Sequence, residues 1–103
     1  MKKFDKLVRD KIPNIIKKDG VKCNFHIADD KEYRLKLNEK LREEIEEFIE
    51  KPSAEEIADV LEVVETIARL NGIGLEEIKE QKMTKKSFRG GFGKKIILES
   101  TDE

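Results

Sequence analysis

A mainly α fold, an antiparallel helical hairpin followed by a third helix, is predicted by three features of this chain. Apolar residues recur at helical spacing through two long runs, at Leu37, Leu41 and Phe48 and again at Val60, Val63 and Ile67. The break between those runs, Lys51-Pro52-Ser53, is too short for anything but a tight reversal. Alternating, β-like residues occur only in two short runs near the chain ends.

Taken in order, Leu7 to Ile12 has mixed character, and Pro13 opens a short helix through Lys18 that Asp19-Gly20 ends. Val21 to Ile27 alternates apolar and polar side chains and is expected to be a strand. Its expected partner is Lys95 to Glu99, giving a small two-stranded β ribbon that joins the chain ends. Asp29 or Asp30 caps a helix reaching about Glu50, and Ser53 caps the next, which ends at Asn71-Gly72. A third long helix is expected from about Leu75 to Lys86, leading into the glycine-rich Ser87 to Gly93.

At 103 residues the chain is predicted to be one domain, residues 1–103. With 37% apolar residues, six aromatics and 44% charged residues, its own core would be thin. Apolar residues on more than one flank of the hairpin, Ile45, Ile49, Val63 and Ile67, therefore predict a four-helix-bundle core completed in a homodimer or a dimer of dimers. The net charge of -1 gives no basic field for nucleic acid. The opening Met1-Lys2-Lys3-Phe4-Asp5 is charged and no run is long enough for a membrane span, so a soluble, cytoplasmic chain without membrane or nucleic-acid partners is expected. One cysteine, Cys23, and one histidine, His26, are too few for a thiolate or imidazole zinc cluster, and both read as structural or surface residues.

The chemistry-bearing feature is a pair of acids where core residues belong. Leu37, Leu41, Glu44 and Phe48 run at 4-3-4 spacing, as do Glu56, Val60, Val63 and Ile67, so each helix carries a carboxylate in its seam. Glu47 and Asp59 lie one turn from Glu44 and Glu56, and the hairpin brings the two pairs together. With no basic residue at those seam positions and none at i+4 of Glu44, the converging acids point to a divalent cation. Mg²⁺, with Mn²⁺ as a substitute, suits hard oxygen ligands and open positions for water and phosphates. Glu43 and Glu62 flank the group as a further ligand, a water-orienting base or solvated neighbours. Two blander readings compete: Glu43 to Glu47 as a solvated helix face, and Glu56 as the returning half of a capping box with Ser53. Basic residues segregate to the last quarter of the chain, where Lys82 and Lys86 share a helical face with Lys79 and Arg89 follows in the glycine-rich loop. They are candidates for binding substrate phosphates. Arg9, Asp10 and Lys11 either contact substrate or tie down the N-terminus.

Glu44-x-x-Glu47 with Glu56-x-x-Asp59 resembles the ExxE…ExxD motif of the all-α nucleoside triphosphate pyrophosphohydrolases, the MazG and phosphoribosyl-ATP pyrophosphohydrolase-like superfamily. The likeness extends to Lys6-Leu7-Val8-Arg9-Asp10-Lys11-Ile12-Pro13, Leu41-Arg42-Glu43-Glu44, Ala58 to Val63 and Arg89-Gly90-Gly91-Phe92, and so covers most of the chain. Only eight residues separate Glu47 from Glu56, fewer than in many MazG relatives. The resemblance implies Glu44, Glu47, Glu56 and Asp59 as Mg²⁺ ligands, Glu43 as the residue that helps activate water, and hydrolysis of a nucleoside triphosphate to its monophosphate and pyrophosphate. A housekeeping role on the nucleotide pool is the expected function. Phosphoribosyl-ATP hydrolysis in histidine synthesis, or a noncatalytic helical module that binds a nucleotide or a protein partner, are the alternatives.

Overall fold

In the computed structural model, residues 2–102 are described. They form four helices in the order α1 (Ile12–Lys18), α2 (Asp30–Glu50), α3 (Ala54–Leu70) and α4 (Leu75–Arg89). Local chemistry accounts for most of the boundaries. Pro13 sits in the first turn of α1, where its missing N–H costs nothing. The Asp29 carboxylate accepts from the Glu32 amide at 2.8 Å and starts α2, and the Ser53 hydroxyl accepts from the Glu56 amide at 3.1 Å and starts α3. At the end of α3, Gly72 takes the left-handed conformation (φ 69°), so that its amide reaches the Arg69 carbonyl and the Ile73 amide reaches that of Ala68. This paired arrangement satisfies two carbonyls that a helix end leaves open.

The helix pair α2 and α3 packs along its length, and no other pair among the described residues packs to a comparable extent. The hairpin is antiparallel, with Arg34 near the start of α2 placed 3.5 Å from the side chain of Asn71 at the end of α3. Its core is small. Among the described residues, Leu37, Val63 and Ala68 are the buried apolar ones, and Glu44 is the buried polar one. Ile45 and Ile49, expected on an outer flank of α2, are exposed, while Val63 lies in the seam itself and Ile67 is half-buried.

The two β-like runs form no strand within the single chain among the described residues. Val21, Phe25 and Ile27 are exposed, and so are Ile96, Ile97 and Leu98. A lone two-stranded ribbon does not repay the entropy of ordering it. A turn at Phe92 to Lys95, closed by the Lys95 amide on the Phe92 carbonyl with Lys95 at φ 60°, also deflects the second run at its start.

A second difference lies in α4, which continues through Ser87 and Phe88 to Arg89 instead of stopping near Lys86. Gly90, at φ 79°, supplies the stop, and its amide bonds the Lys86 carbonyl. Arg89 therefore belongs to the last helical turn and not to a glycine-rich loop.

The chain is elongated, with extents of 61 × 31 × 26 Å and a radius of gyration of 18.5 Å. A compact domain of this length has about 13 Å. Every described residue from Asn71 onward is exposed, including Met83, Phe88 and Phe92. None of the helices among the described residues is long and apolar enough to cross a membrane.

Candidate metal centre

The hairpin places the two seam acids opposite one another, as the 4-3-4 spacing predicts. Glu44, Glu56 and Asp59 each offer a carboxylate oxygen, and the three atoms lie within 4.8 Å of one another. A hard divalent ion with oxygens at about 2.1 Å holds neighbouring ligands about 3 Å apart, so small rotations close the set around one ion.

Burial distinguishes this cluster from an ordinary acidic surface. The Glu44 side chain is only 8% exposed. Its Oε1 lies 3.2 Å from Lys40 Nζ, while its Oε2 is buried without a hydrogen-bond partner. The Oε2 of Glu56 is also buried and unpartnered. A buried anionic oxygen with nothing to accept from costs on the order of several kcal/mol, and a cation at the mouth of the cluster removes that cost.

The same geometry decides between the readings of Glu56. Ser53 accepts from the Glu56 amide, but the Glu56 carboxylate does not return to the Ser53 amide, and its Oε2 is buried without a partner. Only half of the capping box forms. The first turn of α3 still favours an acid there, since the positive end of the helix dipole offsets part of the crowding.

Basic residues do reach the acids, contrary to the expectation from the seam positions. Lys40, at i−4 of Glu44, bridges Glu44 and Glu43, at 3.2 and 3.7 Å. Lys6 meets Glu43 at 3.1 Å, and Arg9 Nη2 donates to Asp59 Oδ1 at 2.8 Å. Among the described residues, Glu47 and Glu56 have no cation within ion-pair distance. Five carboxylates, Glu43, Glu44, Glu47, Glu56 and Asp59, thus face three cations. The two negative charges left over match one divalent ion.

Glu47 lies outside the three-carboxylate group, exposed at its rim. The charge of Glu44 raises its pKa above the ordinary 4.5, with lost hydration, the hydrogen bond that a protonated Glu47 can give Glu44, and the charges of Glu56 and Glu43 adding to the effect. Glu43 is part-exposed between its two lysines. Glu62 is outside the three-carboxylate group and exposed, and pairs with Arg69 at 3.9 Å. Lys82, Lys86 and Arg89 are exposed on α4, with no ion pair among the described residues. His26 is a surface residue, bonding Glu32 at 2.9 Å, and Cys23 contacts the Pro13 carbonyl.

A groove of about 270 Å³ runs beside the cluster between the N-terminal segment and α2. Lys6, Lys36 and Lys40 line it, but so do Asp5, Glu39 and Glu43, so it has no excess charge with which to hold an anion by itself.

Sequence reasoning missed Lys40, Lys6 and Arg9 as partners of the acids. Lys40 was discoverable, since i−4 neighbours share a helix face as i+4 neighbours do. The other two arrive across 37 and 50 residues of chain, a separation that no local spacing encodes. Comparison with protein-family models, with curated proteins and with solved structures gives no match for this chain.

Proposed function

We propose that this protein is a Mg²⁺-dependent hydrolase that splits a nucleoside triphosphate into its monophosphate and pyrophosphate, in cytosolic housekeeping of the nucleotide pool. The observation that carries the reading is the Glu44 carboxylate, more than nine-tenths buried, with its unpartnered Oε2 in a cluster with Glu56 and Asp59. The pairing of Glu44-x-x-Glu47 with Glu56-x-x-Asp59 supports the choice of chemistry through its likeness to the MazG-like enzymes.

Glu44, Glu56 and Asp59 would hold the ion, with Glu47 joining from the rim. When bound, Mg²⁺ supplies neutralisation of phosphate charge and acidification of water. Glu43, beside the cluster and outside the ligand group, accepts the proton of the attacking water, and Lys40 holds its carboxylate in place meanwhile. On this reading Lys82, Lys86 and Arg89 bind the terminal phosphates.

The working unit in this proposal is a homodimer or a dimer of dimers. The support is the elongated shape, the three-residue apolar core and the exposed apolar residues of α4 and the tail. A second copy packed on the hairpin would complete a four-helix bundle, and an assembled chain is where the 21–27 and 95–99 runs would find strand partners. Phosphoribosyl-ATP remains the second candidate substrate. A noncatalytic module is the competing reading, favoured by the same exposed α4, whose apolar residues suit a protein partner.

A single assay tests the proposal: pyrophosphate release from a panel of NTPs, dNTPs and phosphoribosyl-ATP with and without Mg²⁺. Metal-dependent release from at least one, lost in Glu44→Gln, supports it. Divalent-cation binding without turnover of any panel member leaves a binding module.

A further inference from the structure

The geometry points to Arg9 as a substrate-phosphate ligand that the metal-free protein parks on Asp59, with Lys6 as its companion on Glu43. This inference rests on the metal-dependent reading above and adds the residues that meet the phosphates.

Four observations carry it. Lys6 and Arg9 are three residues apart on the N-terminal segment, and their charges land on different helices, Glu43 of α2 and Asp59 of α3. The segment therefore lies across the mouth of the carboxylate cluster. Arg9 is also well placed in the backbone, because the Ile12 amide bonds its carbonyl at 3.0 Å at the turn into α1. Its guanidinium has five N–H donors and gives one hydrogen bond to a side chain, on Asp59 Oδ1 at 2.8 Å. The side chain is 56% exposed.

Arg9 and a divalent ion draw on the same carboxylate. Asp59 belongs both to the ion pair and to the three-carboxylate group. Once a doubly charged cation is held there, Asp59 has less charge to offer the guanidinium, and the cation repels it. An exposed ion pair of this kind is weak and exchanges readily. Arg9 and Lys6 are then left beside the ion as two positive charges on a short tether. A phosphate chain, which brings negative charge and a geometry matching the guanidinium fork, is the ligand that restores the balance. Lys40 is a poorer candidate for this role, since it is 18% exposed and already spans Glu43 and Glu44.

The test compares the parent with Arg9→Ala, Arg9→Lys and Lys6→Ala. Mn²⁺ binding is measured alone by electron paramagnetic resonance, and binding of Mg²⁺-pyrophosphate by calorimetry. Arg9→Ala is expected to bind Mn²⁺ as tightly as the parent or a few fold tighter, because a competitor for Asp59 is gone, and to bind Mg²⁺-pyrophosphate about tenfold more weakly. Arg9→Lys should fall between, keeping the charge without the fork. Trypsin cleavage after Arg9 in the parent should quicken with Mn²⁺ alone and slow again when Mg²⁺-pyrophosphate is added. Pyrophosphate affinity within about twofold of the parent in both Arg9 variants, with a lowered Tm, would make Arg9 a structural clip and overturn the inference. Absence of Mn²⁺ binding by the parent itself would remove the metal-dependent reading first, and this inference with it.

Discussion

Glu44 and Glu47 lie one turn apart on α2 and end in opposite surroundings. Glu44 is buried in the hairpin seam with Oε1 on Lys40, while Glu47 is exposed at the rim, and the charge of Glu44 raises the Glu47 pKa. The buried acid is a member of the three-carboxylate group and the exposed one is not. The pair therefore has separable consequences for stability and for cation binding.

Glu47 gives a pH prediction with a definite sign. Its folded pKa is raised above 4.5, so protonation favours the folded state. That contribution is fully present below the ordinary carboxyl value and is lost as pH rises through the raised one. Without divalent cations, Glu47→Gln should raise Tm at neutral pH, and the gain should shrink as pH falls through the raised value and vanish below 4.5. Thermal melts across a pH series in EDTA check this, and a gain that grows on acidification would contradict it.

Glu44 occupies a core position, so its replacement should separate stability from function. Glu44→Leu is expected to stabilise the metal-free protein by about 1–3 kcal/mol, since an apolar side chain replaces a buried charge, while Lys40 keeps Glu43 as a partner. The same variant should no longer gain Tm on addition of Mg²⁺. The parent should gain about 2.7 kcal/mol at a hundredfold excess over its Kd. Melts with and without MgCl2 decide, and an undiminished Mg²⁺ response in Glu44→Leu would remove Glu44 from the site.

Ser53→Ala should cost about 1 kcal/mol by removing the hydroxyl that receives the Glu56 amide. Because that cap also fixes the first turn of α3, where Glu56 sits, the variant should bind Mn²⁺ more weakly than the parent. Chemical denaturation and Mn²⁺ titration on one preparation measure both. Loss of stability with unchanged Mn²⁺ affinity would mean that Glu56 is oriented by packing alone.

Light scattering should give a dimeric or tetrameric mass, and Phe88→Glu, at a position 85% exposed in the single chain, should lower it. A monomeric parent at micromolar concentration with full activity would exclude the oligomer.

Arg89→Ala should weaken substrate binding more than it weakens Mg²⁺ binding, and mixing it with Glu44→Gln tests whether α4 serves a second copy. If the basic end of α4 works on a neighbouring chain, mixed oligomers regain activity that neither variant has alone. Values of kcat and KM within about twofold of the parent for Arg89→Ala and Lys82→Ala would make this end of α4 a solvated surface.

Features written in neighbouring residues could be read from the sequence. Asp29, Ser53 and Asn71-Gly72 set helix ends through bonds that span a few residues. Glu44 and Glu56 share a seam because helical geometry alone puts i, i+4 and i+7 on one stripe. The end of α4 was legible only in part. Gly90 stops the helix, and no residue between Lys86 and Gly90 forces an earlier end.

What only the tertiary structure decided is how the acids are neutralised. Lys40 lies N-terminal to Glu44, the less favourable order for a helical ion pair, and packing against α3 holds Glu44 where Lys40 reaches it. Lys6 and Arg9 meet Glu43 and Asp59 only because the chain path returns its N-terminal segment to the hairpin. The alternation in residues 21–27 and 95–99 states a preference for extended backbone, but a strand exists only where a partner offers its hydrogen bonds, and among the described residues of the single chain none does. Short-range geometry is encoded residue by residue, whereas charge pairing and strand pairing depend on which distant segments the fold brings together.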